Sequence, residues 1–312
     1  MVQPPESSIA SLPWPAYRSL SLAELRKRAD HALESLSRCV ICPRACGTDR
    51  SAGQLGACRS GRYARVSSFF PHHGEEPPIS GWRGSGTIFF ACCNLACVYC
   101  QNWEISQRDE GGEVSDQELA HIMLRLQQIG CHNLNLVSPS HVVPQFLAAL
   151  ALAVPAGFCL PIVYNSGGYD SLATLRLLDG IVDIYMPDAK YDDDEIGARL
   201  SGVPAYSRVN RLALKEMHRQ VGELRLDARG LAIRGLLVRH LVLPAGLAGG
   251  AGVCRFIASE LSPNTYVNVM AQYRPCYQAS RFEHLNRRLT QREYECALAE
   301  AKEAGLWRGL AE

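Results

Sequence analysis

The sequence predicts an α/β chain folded as a partial (β/α)6 barrel with an N-terminal cysteine-rich extension. Six short runs of β-branched, aromatic or aliphatic residues alternate with helical patterns: Thr87 to Phe90, Asn133 to Val137, Leu160 to Tyr164, Ile181 to Met186, Leu236 to Leu243 and Tyr266 to Met270. Such alternation demands a parallel sheet with right-handed crossovers. Six units, against the eight of a closed barrel, imply an open or partial one. A chain of 312 residues, 47% of them hydrophobic, is long enough for one large α/β domain with an appendage.

After a Pro-rich start, Ser21 to Leu36 reads as a helix. Ser21 and Glu24 stand at capping-box spacing, and Leu22, Leu25, Ala29, Leu33 and Leu36 share a face. Next comes CVICPRACGTDRSAGQLGAC, with Cys39, Cys42, Cys46 and Cys58. Four thiols among Gly, Pro and Arg form a candidate metal site, open to zinc, to an auxiliary iron-sulfur cluster or to unmetallated thiols. FPHHGEEPPISGWRGSG, Phe70 to Gly86, reads as a loop. It is either a solvated turn or, because it precedes the first barrel strand, a wall of the active site. The helical patterns are Ser115 to Ile129, stopped by Gly130, then His141 to Ala153, Ser171 to Leu178, Asp192 to Leu200, Tyr206 to Val221 and Ala248 to Leu261. One or two helices are expected to close the chain between Phe282 and Leu306. The expected organisation is a helical segment over 1–38, a four-cysteine module and linker over 39–85, the barrel over 86–275 and closing helices over 276–312.

Lys and Arg number 32 against 31 Asp and Glu, a formal net charge of +1. No global field attracts nucleic acid or anionic membrane. The start of the chain lacks the basic region and apolar run of a secretory signal, and no span of about twenty apolar residues is present. A cytoplasmic protein is expected. Thirteen cysteines, an odd number with two tight groups, suit metal binding in a reducing compartment better than a disulfide framework. Cys92, Cys131, Cys159, Cys254, Cys276 and Cys296 read as buried small hydrophobes.

The second cysteine group, CNLACVYC, places thiols at Cys93, Cys97 and Cys100, directly after the strand Thr87 to Phe90. Structural zinc and simple electron-transfer clusters take four protein ligands. Three local thiols leave one metal position open, on a loop at the end of a parallel strand where ligands bind.

Spacing, strand and loop together resemble the radical S-adenosylmethionine superfamily, whose motif is C-x3-C-x2-C with an aromatic residue before the last Cys, here Tyr99. GSGTIFFACCNLACVYCQN, NLNLVSPSH, PIVYNSGGYD, DIYMPDAKY, RHLVLP and NVMAQY further resemble a branch of the pyruvate formate-lyase activating enzymes, over about residues 39 to 275. The resemblance implies a partial (β/α)6 barrel with a [4Fe-4S] cluster on Cys93, Cys97 and Cys100, whose open iron binds S-adenosylmethionine. It implies reductive cleavage to a 5'-deoxyadenosyl radical, with a one-electron donor such as flavodoxin or ferredoxin. It further implies hydrogen abstraction from a glycine of a partner glycyl-radical enzyme.

Carried over residue by residue, the resemblance sets Tyr99 beside the adenine. It gives Ser138 and Ser140, where many members have Gly-Gly-Glu, the amino group of S-adenosylmethionine, and gives Asn165 and Ser166 ribose and amino-group contacts. Met186, Asp188 and Lys190 match a pocket-lining segment, and Arg239 matches an arginine that pairs with the cofactor carboxylate. Ser138-Pro139-Ser140 and the four-cysteine segment depart from the activating enzymes, so a different peptide, nucleic-acid or small-molecule substrate stands as the alternative. A metal-stabilised binding module with zinc in both cysteine groups is the rival of another class. His141 and His240 read as packing or cavity residues, and Asp188 with Lys190 as either a site pair or a structural one. Gln272 and Tyr273 follow the last strand and can close the pocket.

Overall fold

The computed structural model describes residues 14–108 and 110–310; most of the Pro-rich start lies outside the described residues. Ser21 accepts the Glu24 N–H at 3.1 Å and begins helix α1 (Leu22–Glu34), which buries Leu25, Ala29 and Ala32. Residues 39–63 form no helix or strand. Arg50 organises this segment from a fully buried position, donating to the carbonyls of Gly61 at 3.0 Å and His141 at 2.9 Å. A guanidinium is tolerated in a core where carbonyls take its donors.

Strand β1 (Ala64–His72) follows, then a short helix α2 (Pro77–Ser80) and strand β2 (Ser85–Phe90). The expected loop from Phe70 is thus corrected at its start. β1 pairs antiparallel with β2 as far as His72, opposite Ser85, because β2 supplies the ladder partners that local sequence cannot reveal. The expected boundary at 85/86 falls inside β2, after its first residue.

The chain continues with α3 (Trp103–Gln107), β3 (Gly112–Val114) and α4 (Asp116–Ile129), the last opened by a complete Ser115–Glu118 capping box and ended by Gly130 at φ 93°. Then come β4 (Leu134–Val137), α5 (Val143–Ala153), β5 (Ile162–Asn165), α6 (Leu172–Leu177), β6 (Ile184–Tyr185), α7 (Asp194–Ser201) and α8 (Tyr206–Val221). After β7 (Arg225–Leu226) and β8 (Ala232–Leu241), α9 (Gly250–Phe256) leads to β9 (Tyr266–Met270) and α10 (Gln291–Glu303). Between β9 and α10, the region around Phe282 forms only short 3-10 turns.

Strands β2, β4, β5, β6, β8 and β9 run parallel in sequence order, as expected of a partial barrel. β1 and β3 extend the β2 edge, and no pairing joins β9 back to that edge among the described residues. Period-two alternation sorts the strands into two cores. Leu134, Leu136, Ile162, Tyr164, Leu236 and Val238 face the helices, while Val163, Ile184, Met186 and Leu237 pack inside the barrel with Ile79 of α2 as a plug. Above that apolar floor, Thr87, Asn135, Asn165, Asp188, Arg239 and Asn268 sit at interior register positions. No helix among the described residues is long and apolar enough to cross a membrane.

Asp183 ties the N-terminal segment to the sheet, accepting the N–H groups of Ala16 at 2.8 Å and Ile162 at 2.9 Å. Burial raises its carboxyl to about 6. The folded chain therefore holds this proton between about pH 4 and 6, where the unfolded chain has released it, so stability falls as pH rises through that window. The shift corresponds to about 2–3 kcal/mol. Asp183→Asn is expected to flatten the slope between pH 4 and 6 in urea midpoints and, at pH 4, where folded Asp183 is protonated, to lower stability by about 1 kcal/mol through one orphaned N–H. An unchanged slope would contradict it.

Candidate active site

The loop after β2 is fixed by its own backbone. Cys92 N–H bonds Ile105 O at 2.9 Å, Ala96 N–H bonds Ser201 O at 2.9 Å, Val98 N–H bonds Leu200 O at 2.9 Å, and Gln278 N–H bonds Val98 O at 2.8 Å. Asn94 donates its side-chain amide to Tyr169 O at 2.7 Å. On this scaffold each thiol has a polar neighbour: the Leu95 N–H 3.4 Å from Cys93 Sγ, Ser201 Oγ 3.0 Å from Cys97 Sγ, and Ser106 Oγ 3.2 Å from Cys100 Sγ. Burial pushes the Cys93 thiol up to about 12, and Cys97 beside it adds to the rise.

Cys93, Cys97 and Cys100 line one cavity of about 200 Å³ together with Tyr99, Ser138, Asn165, Ser166, Asp188, Lys190 and Arg239. Among the described residues no three or more His, Cys, Asp or Glu side chains are arranged around one metal-ion position. A [4Fe-4S] cluster makes a different demand, since each thiolate ligates a separate iron. Three thiols on one rigid loop, facing a cavity with room beside them, fit that demand; they do not describe a closed zinc site.

Opposite the thiols lies a charged triad. Lys190 Nζ is 2.5 Å from Asp188 Oδ2, Arg239 Nε donates to Asp188 Oδ1 at 3.0 Å, and Arg239 Nη2 donates to Asn165 Oδ1 at 2.7 Å. Burial works to raise Asp188, but Lys190 and Arg239 outweigh it and hold the carboxyl below its ordinary range. Burial likewise opposes the charge on Lys190, and Asp188 and Cys97 overcome it. Tyr99 closes one wall, its hydroxyl 2.5 Å from that of Tyr191 and its ring edge-on to Tyr273 at 6.0 Å.

Other expected contacts fall elsewhere. Ser140 is buried and near Tyr164 and Asp170, outside the cavity lining. Ser138 does line it, in a left-handed conformation at φ 59° that is costly for a residue with a Cβ. Ser166 donates its hydroxyl to Asp170 at 2.6 Å, which leaves mainly its backbone for a ligand. Met186 is fully buried among Val163, Ile184 and Leu237, one layer below the cavity. His141 packs behind the thiol loop, its Nε2 3.1 Å from Ala91 O, and burial lowers it to about 3. His240 faces away, with Nδ1 2.7 Å from Ala189 O. Gln272 lines the cavity, whereas Tyr273 is buried and donates to Leu285 O at 2.6 Å.

The four-cysteine segment packs beside the thiol loop: Arg44 Nε donates to Asn94 O at 2.5 Å and Arg44 Nη2 to Gly202 O at 3.1 Å. A Cβ on Gly56 would stand 3.5 Å from Sγ of both Cys46 and Cys58. Burial raises Cys42 to about 12. Burial also acts to raise Cys46, but hydrogen bonds from Thr48, Ala57 and Cys39 prevail and hold it at about 7. Of the isolated thiols, Cys92, Cys131 and Cys254 are buried as expected; Cys276 is only half-buried, and Cys159 and Cys296 are exposed on loop and helix surfaces that the core does not reach.

Glu75 and Glu76 are side chains that sequence reasoning left undecided between solvent and wall. Both are buried: Glu75 Oε1 accepts from Asn135 at 3.0 Å, and Glu76 Oε1 accepts from Asn268 at 2.9 Å. Their turn follows β1, and through these side chains it reaches β4 at Asn135 and β9 at Asn268.

No family model matches the chain. It is 32% identical over 289 residues to the uncharacterized protein MJ0674 of Methanocaldococcus jannaschii, an alignment covering 89% of this chain and 78% of the relative. The chain belongs to that protein's family. The shared stretch is long enough to take in both cysteine groups and the barrel. Among solved structures, a radical SAM methyltransferase from Sphaerobacter thermophilus is 12% identical at a TM-score of 0.46, over 70% of this chain and 64% of that one. HydG, a maturase of the [FeFe]-hydrogenase, is 10% identical at 0.47, over 68% and 47%. TYW1 with a lysine-pyruvate adduct bound is 12% identical at 0.43, over 70% and 73%. The chain spans less than two thirds of the first two. At these scores the structural likenesses carry no argument, and the chemistry is read from this chain's own residues.

Proposed function

We propose that the chain is a radical S-adenosylmethionine enzyme. One observation carries the proposal: Cys93, Cys97 and Cys100 share a single cavity with Asn165, Asp188, Lys190 and Arg239, at the carboxyl ends of parallel strands. Cys93, Cys97 and Cys100 would hold a [4Fe-4S] cluster. When bound, the cluster and S-adenosylmethionine supply one-electron cleavage of a carbon-sulfur bond and hydrogen-atom abstraction.

The chain's own residues orient and exclude. The Asp188 carboxylate keeps Lys190 and Arg239 charged and aimed at one place, which suits the amino-acid end of the cofactor. Asn165 fixes the guanidinium plane from the other side. Phe90, Val137, Leu241 and Met270 supply apolar wall between the polar groups and limit water. Resemblance adds Tyr99 beside the adenine, a flavodoxin- or ferredoxin-type electron donor and a glycyl-radical enzyme as the finer substrate assignment, and the sequence pattern adds a cytoplasmic setting. The Cys39, Cys42, Cys46 and Cys58 group is proposed to take zinc or a second iron-sulfur cluster on closure of its loop.

Anaerobic reconstitution with iron and sulfide tests the reading. The expected result is about four irons per chain at the first site, lost in Cys93→Ala, Cys97→Ala and Cys100→Ala, and dithionite-dependent release of 5'-deoxyadenosine. Iron uptake that survives those substitutions, with 5'-deoxyadenosine formation intact, would overturn it. Metal content of Cys39→Ala and Cys58→Ala proteins reports the second site separately.

A further inference from the structure

A second cavity, of about 450 Å³, lies along β9. Glu75, Glu76, Tyr266, Asn268 and Tyr294 line it, and it shares Arg239, Met270 and Gln272 with the thiol-lined cavity. The two spaces therefore meet at one wall. The partners of its carboxylates are unequal. Glu75 is met by Arg239 Nη1 at 3.8 Å, by Asn135 at 3.0 Å and by His72 Nδ1 at 3.4 Å. Glu76, only 9% exposed, has Oε1 bonded to Asn268, and its Oε2 has no hydrogen-bond partner among the described residues.

Charge adds to this. Across the joined interior, three carboxylates, Asp188, Glu75 and Glu76, face two obligatory cations, Lys190 and Arg239. Both cations are already engaged by Asp188, and Arg239 also faces Glu76 and Glu75, the latter at 3.8 Å. The remaining nearby cation, Arg308, donates to the carbonyls of Asn264 and Leu224. A buried carboxylate oxygen without a donor is costly, and the aromatic and amide walls around it are those of a ligand pocket.

We propose that this cavity binds the protonated amine of the substrate, with Glu76 as its counter-ion. The word substrate rests on the function proposed above; binding of an ammonium group does not. An ammonium donates to Glu76 Oε2 and balances the interior charge, and the shared wall at Arg239 sets the carbon chain beside the thiol-lined cavity. The amine can belong to a free metabolite or to a lysine side chain of a peptide.

Calorimetric titration of the full-length, cluster-free protein distinguishes these. Probes are 1,5-diaminopentane against 1,5-pentanediol, and a lysine-bearing pentapeptide against its norleucine counterpart. The expected result is that one ammonium probe binds at least about tenfold more tightly than its neutral partner, the effect of a charged hydrogen bond. Which probe binds identifies the source. Glu76→Gln is expected to remove about that factor. Equal binding of ammonium and neutral probes, or no ammonium binding below about 10 mM, would overturn the pocket even if Glu76→Gln failed to fold. Ammonium binding in a protein that shows no cleavage of S-adenosylmethionine would instead overturn the reaction and leave the pocket standing.

Discussion

Asp188→Ala is expected to destabilise the chain by about 3 kcal/mol and to abolish retention of S-adenosylmethionine. The carboxylate is the common partner of Lys190 at 2.5 Å and Arg239 at 3.0 Å, and side-chain exposures of 14% to 18% leave little water to replace it. Removing one member of such a group strands the other charges in a poorly solvated site, a loss of about 3–5 kcal/mol. Glu75 and Asn165 keep partial hold on Arg239, so the lower end applies. The pH dependence follows from the same geometry. A carboxyl held below its ordinary range in the folded chain contributes stability at pH values above about 4. That contribution fades as pH falls through the depressed folded value. Urea midpoints from pH 7 down to pH 3 should show an acid-side decline that is shallower in Asp188→Asn. A decline of equal steepness, or a loss below about 1 kcal/mol in Asp188→Ala, would mean that the triad is solvated and loosely held.

The elements that sequence exposes best are those whose cause is local. An aliphatic run marks β4 and a β-branched one β5, the Ser115–Glu118 box and Gly130 bracket α4, and three thiols on a loop after β2 mark the site. Depth is another matter. Met186 and Asp188 stand two residues apart in one pocket-lining segment, yet the first lies in the apolar floor and the second in the polar layer above it, because barrel layers are set by the neighbouring strands. Ser138 and Ser140 divide similarly: a left-handed turn at Ser138 sends one into the cavity lining and the other behind the sheet. Glu75 and Glu76 sit among Gly and Pro and carry every mark of a surface turn. They are buried because their turn reaches β4 at Asn135 and β9 at Asn268, contacts distant in the chain that no short window records.

Gly168→Ala is expected to cost about 3–5 kcal/mol, the range of strain combined with overpacking. Its φ of +73° disfavours any Cβ, and an added Cβ would meet the Asp188 carbonyl oxygen at 2.0 Å and Asn210 Nδ2 at 2.3 Å. Those two atoms cannot both yield, since Asn210 Nδ2 donates to the carbonyls of Gly168 and Asp188, each at 2.9 Å. Gly157 provides the control: its φ of +93° carries a similar backbone penalty, but nothing lies within 4 Å of an added Cβ, so Gly157→Ala should cost only about 1–2 kcal/mol. Equal urea midpoints for the two variants would mean that the turn after β5 can shift freely. A large difference would mean that Gly168 clamps the backbone of Asp188, so that this glycine of PIVYNSGGYD sets the position of the charge that Lys190 and Arg239 share.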